Sequence, residues 1–174
     1  MPLIDLKPGH QGPATHALVI GVGAYRHLLG GYQAGPDHWG LGQLPGAAHS
    51  AATFVKWLQE RFHHVEAPLA TIEHLITDGP GAALGSAEPT IQAISLAINA
   101  WRVRASSHPD NIAIFYFAGH GVLMGTETGL LAADFADPAF GNPMLQSIHV
   151  EKMVQGMLSC KARSEERRVG KECA

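Results

Sequence analysis

His120 is the residue whose type and position are best suited to chemistry. It stands between two glycines, directly after the apolar run of residues 111–118, which has the composition of a buried strand. Glycines on both sides let the backbone turn sharply and leave the imidazole and the adjacent N–H groups open. Because imidazole exchanges protons readily near neutral pH, a histidine at such a strand end can act as a general acid and base.

Other patterns that would indicate chemistry are missing. The chain has 11 histidines, and pairs such as His63 and His64, at a predicted helix end, are typical of structural or solvated groups. No spacing fits metal ligands, so we expect no metal site. Gly21-Val22-Gly23 begins like a dinucleotide-binding turn, but Arg26 stands at the third glycine position. Phosphate-binding loops and G-x-S-x-G elbows are absent as well, and we expect no cofactor.

The elements that must position His120 alternate between strands and helices. Apolar runs at residues 16–22, 71–77 and 111–118 predict strands, the first and third of them buried on both faces. Apolar residues with a helical period follow each run: Ala51, Val55, Leu58 and Phe62; Ile91, Ile94, Ile98 and Trp101; and Val150, Met153, Val154 and Met157. Pro89 suits the first turn of the second helix, and Ser147 suits the N-cap of the third.

This order, β-α-β-α-β followed by a hairpin-like stretch and a helix, predicts an α/β domain with a mostly parallel sheet. Such folds place their sites at the carboxyl ends of the strands. A long, glycine-rich loop at residues 23–46 follows the first strand, and Gly119-His120-Gly121 follows the third. Loops of this length inside a domain are usually functional or mobile.

Composition excludes several classes of function. Of the 174 residues, 46% are hydrophobic and 16% charged, against about 25% charged in typical soluble domains, which excludes disorder. The net charge of −3 does not favour binding to nucleic acid or to anionic lipid. Two cysteines cannot build a disulfide framework, and the start of the chain lacks a secretory signal. We therefore expect a cytoplasmic protein without nucleic-acid or membrane partners.

Residues 163–174 differ in composition from the rest of the chain. They read RSEERRVGKECA, with seven charged side chains in twelve positions. Residues 163–173 resemble, residue for residue, the translation of a widely used short-read sequencing adapter. We therefore treat residues 163–174 as a non-native tail, and expect the natural sequence of this fragment to end near residue 162.

Several segments resemble the caspase-like cysteine peptidases, in the bacterial branch that also resembles metacaspases. They are HALVIGV at residues 16–22, LPGAAHSA at 44–51, IAIFYFAGHG at 112–121 and GLLAADF at 129–135. The resemblance implies a three-layer α/β/α fold, truncated after the third helix, with a caspase-like domain at residues 16–162 and an N-terminal extension at residues 1–15. It also implies a Cys–His dyad that cleaves a protein or peptide substrate, with regulatory domains as possible neighbours in the full-length product.

Within this resemblance His120 is the catalytic histidine, and the backbone N–H of Gly121 is an oxyanion donor. Spacing nominates Cys173 as the nucleophile, but its charged surroundings exclude a buried strand. Cys160 ends the third helical pattern, where a small buried residue is the simpler interpretation. We therefore expect the nucleophile to be missing and the fragment to be inactive.

The specificity of the enzyme is open. Leu44 stands where animal caspases have the arginine that binds an aspartate side chain. Asp78 and Asp134 are candidates for a pocket that binds a basic side chain, because both lie near predicted strand ends. Two other functions remain open as well: an inactive caspase-fold interaction scaffold, and an unrelated α/β nucleotide-binding protein that uses the glycine-rich loop.

Overall fold

The computed structural model describes residues 3–36, 38–77, 86–160 and 162, and its centre is a mixed four-stranded sheet. The strands are β1 (Leu3–Asp5), β2 (Thr15–Gly21), β3 (Leu69–Ile76) and β4 (Ile112–Ala118). They stand in the order β1-β3-β2-β4, and β2 runs parallel to both β3 and β4. The three parallel strands are those that the apolar runs predict, with ends displaced by no more than two residues. The α/β class is therefore confirmed.

β1 is a strand that the sequence analysis does not predict, because three residues are too few to show a periodic pattern. It runs antiparallel to β3, and the N–H of Leu6 extends the contact by donating to the Ala70 carbonyl at 2.8 Å. Part of the region assigned to an N-terminal extension thus belongs to the sheet and covers one edge of β3.

The predicted strands differ in burial. Every residue of β2 and β3 is buried, whereas every residue of β4 is only partly buried. β4 is the outermost strand on its side of the sheet among the described residues. The prediction that the third run is buried on both faces is therefore wrong for the described part of the chain, because no strand there covers its outer edge.

Two helices, α1 (Pro45–Glu60) and α2 (Ile91–Ala105), cover opposite faces of this sheet. The side chains of β2 alternate between them: Val19 packs with the α1 residues, and Leu18 packs with those of α2. A strand directs successive side chains to opposite faces, so an unbroken apolar run fits a strand that lies between two helical layers.

Two helix starts differ from the predictions. α2 begins after Thr90, whose side-chain oxygen accepts the N–H of Ala93 at 3.2 Å. Pro89 thus precedes the cap and does not lie in the first turn, because the threonine hydroxyl takes the capping position. Ser147 does not cap the third helix either, because it belongs to a short strand, and His149 occupies the cap position.

The predicted hairpin belongs to a second sheet, which is antiparallel and three-stranded. Its strands, in spatial order, are β5 (Gly121–Met124), β6 (Glu127–Leu131) and β7 (Ser147–His149), and the third helix α3 (Val150–Leu158) follows β7 directly. β7 is again too short to be predicted from the sequence. Because β5 starts at Gly121, this sheet sets the direction in which the chain leaves His120.

Some predictions concern residues outside the described ranges. Asp78 is among them, as are Cys173 and the rest of residues 163–174. Within the described ranges, no helix combines the length and the apolar character needed to cross a membrane.

Candidate functional site

His120 lies immediately after β4, at the carboxyl end of the parallel strands. Its backbone N–H donates to the hydroxyl of Tyr25 at 2.7 Å, and the centroids of the two rings are 5.0 Å apart. Its ring nitrogen Nε2 lies 2.8 Å from the carbonyl oxygen of Gly42. Tyr25 and Gly42 both belong to the long loop after β2, the strand beside β4. The structure therefore brings together the two features that the sequence analysis placed at this edge.

The contact with Gly42 assigns the proton of the neutral His120 ring. A carbonyl oxygen can only accept a hydrogen bond, so Nε2 must carry the proton. In the neutral ring Nδ1 is then the nitrogen with a lone pair, and it is the atom that can take up a proton. The ring can therefore exchange a proton at Nδ1 while Nε2 remains bound to the loop.

Tyr25 gives His120 a buried neighbour. The residue is 1% exposed, and burial raises the pKa of its phenol well above the usual value. The hydroxyl therefore stays protonated and accepts the His120 N–H as a neutral group. Tyr25 and Gly42 are site residues that the sequence analysis did not single out. The only sequence signal for them was their position in a long loop that follows a strand predicted to lie in the same parallel sheet.

The glycines beside His120 have different roles, and neither adopts the left-handed conformation. A Cβ atom on Gly119 would lie 2.9 Å from the Tyr25 hydroxyl and from the ring of Phe117, so this position lacks room for a side chain. On Gly121 the nearest atom to an added Cβ would be 3.8 Å away. The expectation of open N–H groups is wrong for His120 itself, whose N–H donates to the Tyr25 hydroxyl.

The N–H of Gly121 is not used by the ladder between β5 and β6. Gly121 is paired with Leu130, and the N–H of Leu131 donates to the His120 carbonyl at 2.9 Å. This pattern makes Gly121 and Leu130 a non-hydrogen-bonded pair, in which the N–H groups point away from the partner strand. Gly121 is also exposed. Its N–H is therefore able to donate to a ligand beside His120.

The loop between β2 and α1 uses its first N–H groups within the protein. Thr77 Oγ1 accepts the N–H of Gly23 at 2.8 Å and that of Ala24 at 3.2 Å. The N–H of Tyr25 donates to Gln43 Oε1 at 2.8 Å. A phosphate-binding loop needs such consecutive N–H groups for its ligand. The glycine-rich loop therefore does not favour the nucleotide-binding alternative.

The other specificity candidates have separate surroundings. Asp134 is 8% exposed, and its Oδ1 accepts the N–H of Ile91 at 2.9 Å, at the first turn of α2. Burial raises the pKa of this carboxyl group. Asp134 is thus a buried acceptor for the first turn of α2 and exposes little surface to a substrate side chain. Leu44 is 36% exposed and offers an apolar surface at the start of α1.

Cys160 is not placed beside His120. Its Sγ lies 3.0 Å from the Oγ of Ser106, the residue that ends α2. The neighbouring Ala105 carbonyl accepts from Asn111, which directly precedes β4. Cys160 therefore lies at the amino end of β4, whereas His120 lies at its carboxyl end, and seven residues of strand separate these ends by about 20 Å.

His74 is a buried ionisable residue away from His120. His74 is 4% exposed, and neither of its ring nitrogens has a hydrogen-bond partner among the described residues. Burial lowers its pKa, so the ring is neutral in the fold. It lies inside β3 and not at a strand end, which separates it from the His120 site. No group of three or more potential metal ligands occurs in the described part of the chain.

Comparison with known proteins gives one partial similarity. No family model matches the chain. Uncharacterized protein y4kE of Sinorhizobium fredii (strain NBRC 101917 / NGR234) is 31% identical to it over 100 residues. The match covers 54% of this chain and 29% of that protein, so the chain spans less than a third of the relative's length. The chain is therefore similar to one part of a longer protein.

Proposed function

We propose that this chain is the histidine-bearing part of a caspase-like cysteine endopeptidase. The observation that carries the proposal is the 2.8 Å contact between His120 Nε2 and the Gly42 carbonyl at the carboxyl end of β4. It leaves Nδ1 as the proton acceptor, next to the exposed Gly121 with its N–H directed away from β6. A base and an oxyanion donor in adjacent residues are the two groups that acyl transfer to a thiol requires.

In this reaction His120 takes the proton of a cysteine thiol at Nδ1. The thiolate attacks the carbonyl carbon of a peptide bond and forms an S–C bond, and the oxygen that becomes negative accepts the Gly121 N–H. When the C–N bond breaks, His120 returns the proton to the leaving amine and a thioester remains. Water then attacks the thioester while Nδ1 accepts its proton, and the released thiolate recovers that proton.

The thiol itself is not supplied by the described residues, because Cys160 lies at the opposite end of β4. We place it on a further strand encoded after codon 162, beside the partly buried β4. Side chains of Phe54 and Tyr116 stack at 4.3 Å between α1 and the outer edge of β4, and form an apolar surface that such a segment would cover. The three-layer caspase-like fold would be completed in this way.

The test is to sequence the natural gene beyond codon 162 and to express the extended protein. We expect an apolar strand that ends in a cysteine, and cleavage of a peptide library that alkylation of that cysteine abolishes. His120→Ala should lower kcat/KM about 10²- to 10⁴-fold, and the exposed His63→Ala should leave it unchanged. The chain of 174 residues should not cleave the library.

Two results would reject this function. One is an extension that carries the strand without a cysteine, which would indicate an inactive scaffold of the same fold. The other is cleavage that persists after the thiols are alkylated.

A further inference from the structure

We propose that Gln43 is a positioning residue that sets the tautomer and the orientation of the His120 ring. Its meaning for catalysis rests on the function proposed above, but its effect on the ring does not. The residue is partly buried and follows directly after Gly42, whose carbonyl oxygen accepts from His120.

The side-chain amide of Gln43 makes three hydrogen bonds with the other half of the loop. Its Oε1 accepts the N–H of Tyr25 at 2.8 Å. Its Nε2 donates to the Tyr25 carbonyl at 3.0 Å and to the Leu29 carbonyl at 3.1 Å. These partners determine which end of the amide is oxygen, because an N–H needs an acceptor and carbonyls need a donor.

These bonds connect the two residues that contact His120. Tyr25 holds the backbone N–H of His120 through its hydroxyl, and Gly42 holds the ring through its carbonyl. Tyr25 lies in the first half of the loop and Gly42 in the second half. Gln43 connects them, because it follows Gly42 in the chain and its side chain forms two hydrogen bonds with the main chain of Tyr25. The position of the Gly42 carbonyl relative to the ring therefore depends on Gln43.

Backbone contacts also join the two halves of the loop. The N–H of Leu44 donates to the Gly23 carbonyl at 2.9 Å, near the ends of the loop. The N–H of Leu29 donates to the Leu41 carbonyl at 3.1 Å, and Leu29 forms an isolated bridge with Gly42. Without the amide of Gln43, only these backbone contacts would join the two halves of the loop, and the N–H and carbonyl of Tyr25 would lose their Gln43 partners. Because unpaired groups move to find water or a new partner, the Gly42 carbonyl should leave its place beside Nε2.

The test is a tautomer measurement on the full chain labelled with ¹⁵N-histidine. Two-bond ¹H–¹⁵N spectra distinguish Nε2–H from Nδ1–H rings, and His120→Asn identifies the signal of His120. We expect the neutral wild-type ring to be mostly Nε2–H. Gln43→Met keeps the length of the side chain without the amide, and should shift the tautomer ratio by up to about tenfold, the effect of about one lost hydrogen bond.

Gln33→Met is the matched control, because Gln33 is exposed in the same loop. It should leave the His120 signal unchanged. Gln43→Glu retains the acceptor for the Tyr25 N–H and loses both donors. It should therefore shift the tautomer ratio in the same direction, and it serves as the test if Gln43→Met fails to fold. Wild-type His120 signals in a folded Gln43 variant, or an equal shift in Gln33→Met, would overturn the proposal.

The measurement is independent of peptidase activity. If the tautomer shifts in the Gln43 variants but the extended protein does not cleave peptides, the proposed function fails and the positioning role stands. If the extended protein is active, Gln43→Met should lower kcat with little change in KM, and should alter the pH profile of kcat, as expected when a base is misplaced.

Discussion

Asn111 and His120 stand at opposite ends of β4, and each lies at the centre of a small hydrogen-bond network. Asn111 is fully buried, and both ends of its amide are used: Oδ1 accepts the N–H of Ala14 at 2.8 Å, and Nδ2 donates to the Ala105 carbonyl at 3.1 Å. The described contacts of the partly buried His120 ring, by contrast, use only Nε2.

The difference shows that hydrogen bonds use both ends of a buried amide at one end of β4 and leave a ring nitrogen without a described partner at the other. A buried amide with all its partners joins chain segments and has no capacity left for a ligand. A ring that is held at one nitrogen is oriented and still has a second nitrogen for a proton. The amino end of the sheet, where Cys160 lies, is therefore the structural end, and the carboxyl end is the candidate site.

The largest effect is expected from Asn111→Leu. It leaves the N–H of Ala14 and the carbonyl of Ala105 buried without partners, and should reduce the free energy of unfolding by roughly 3–5 kcal/mol. Urea unfolding measures this loss, and Asn99→Leu, on the exposed side of α2, should change stability by less than about 0.5 kcal/mol. If Asn111→Leu reduces the free energy of unfolding by less than about 1 kcal/mol, the network at the amino end of β4 does not have the stabilising role described above.

Gly119→Ala should have an intermediate effect on stability and should change the contacts of His120. The added Cβ would be 2.9 Å from the Tyr25 hydroxyl and from the Phe117 ring, so one of them must move, at a cost of about 1–3 kcal/mol. Amide hydrogen exchange at His120 should accelerate, because its N–H loses the Tyr25 acceptor. Gly121→Ala is the control, since its nearest contact would be 3.8 Å, and equal effects of the two variants would contradict the packing argument.

Cys160→Ala should have the smallest effect. The side chain is partly buried, and its one polar contact is with Ser106, so the loss should be below about 1 kcal/mol in thermal or urea unfolding. Alkylation of Cys160 should leave the His120 signals in the ¹⁵N-histidine spectrum unchanged. A change in those signals would show that the two ends of β4 are coupled, against the separation described above.

Much of the fold can be predicted because burial in an α/β sheet leaves a local pattern. The apolar runs of β2, β3 and β4 and the helical periods of α1 and α2 are continuous in sequence, and they gave the right elements and order. β1 and β7 were missed because three residues carry no period. Their pairing partners are far away along the chain, so only the folded structure shows them.

The sequence by itself determined that His120 follows an apolar strand and lies at the edge where an α/β sheet places its sites. It could not show that Tyr25 and Gly42 hold this histidine, because they are 95 and 78 positions away from it along the chain. Nor could it show that Asp134 accepts a hydrogen bond from the first turn of α2, or that Cys160 lies at the amino end of β4. These facts depend on contacts between segments that are distant along the chain, and such contacts form only when the strands pack side by side and bring their ends together at the two edges of the sheet.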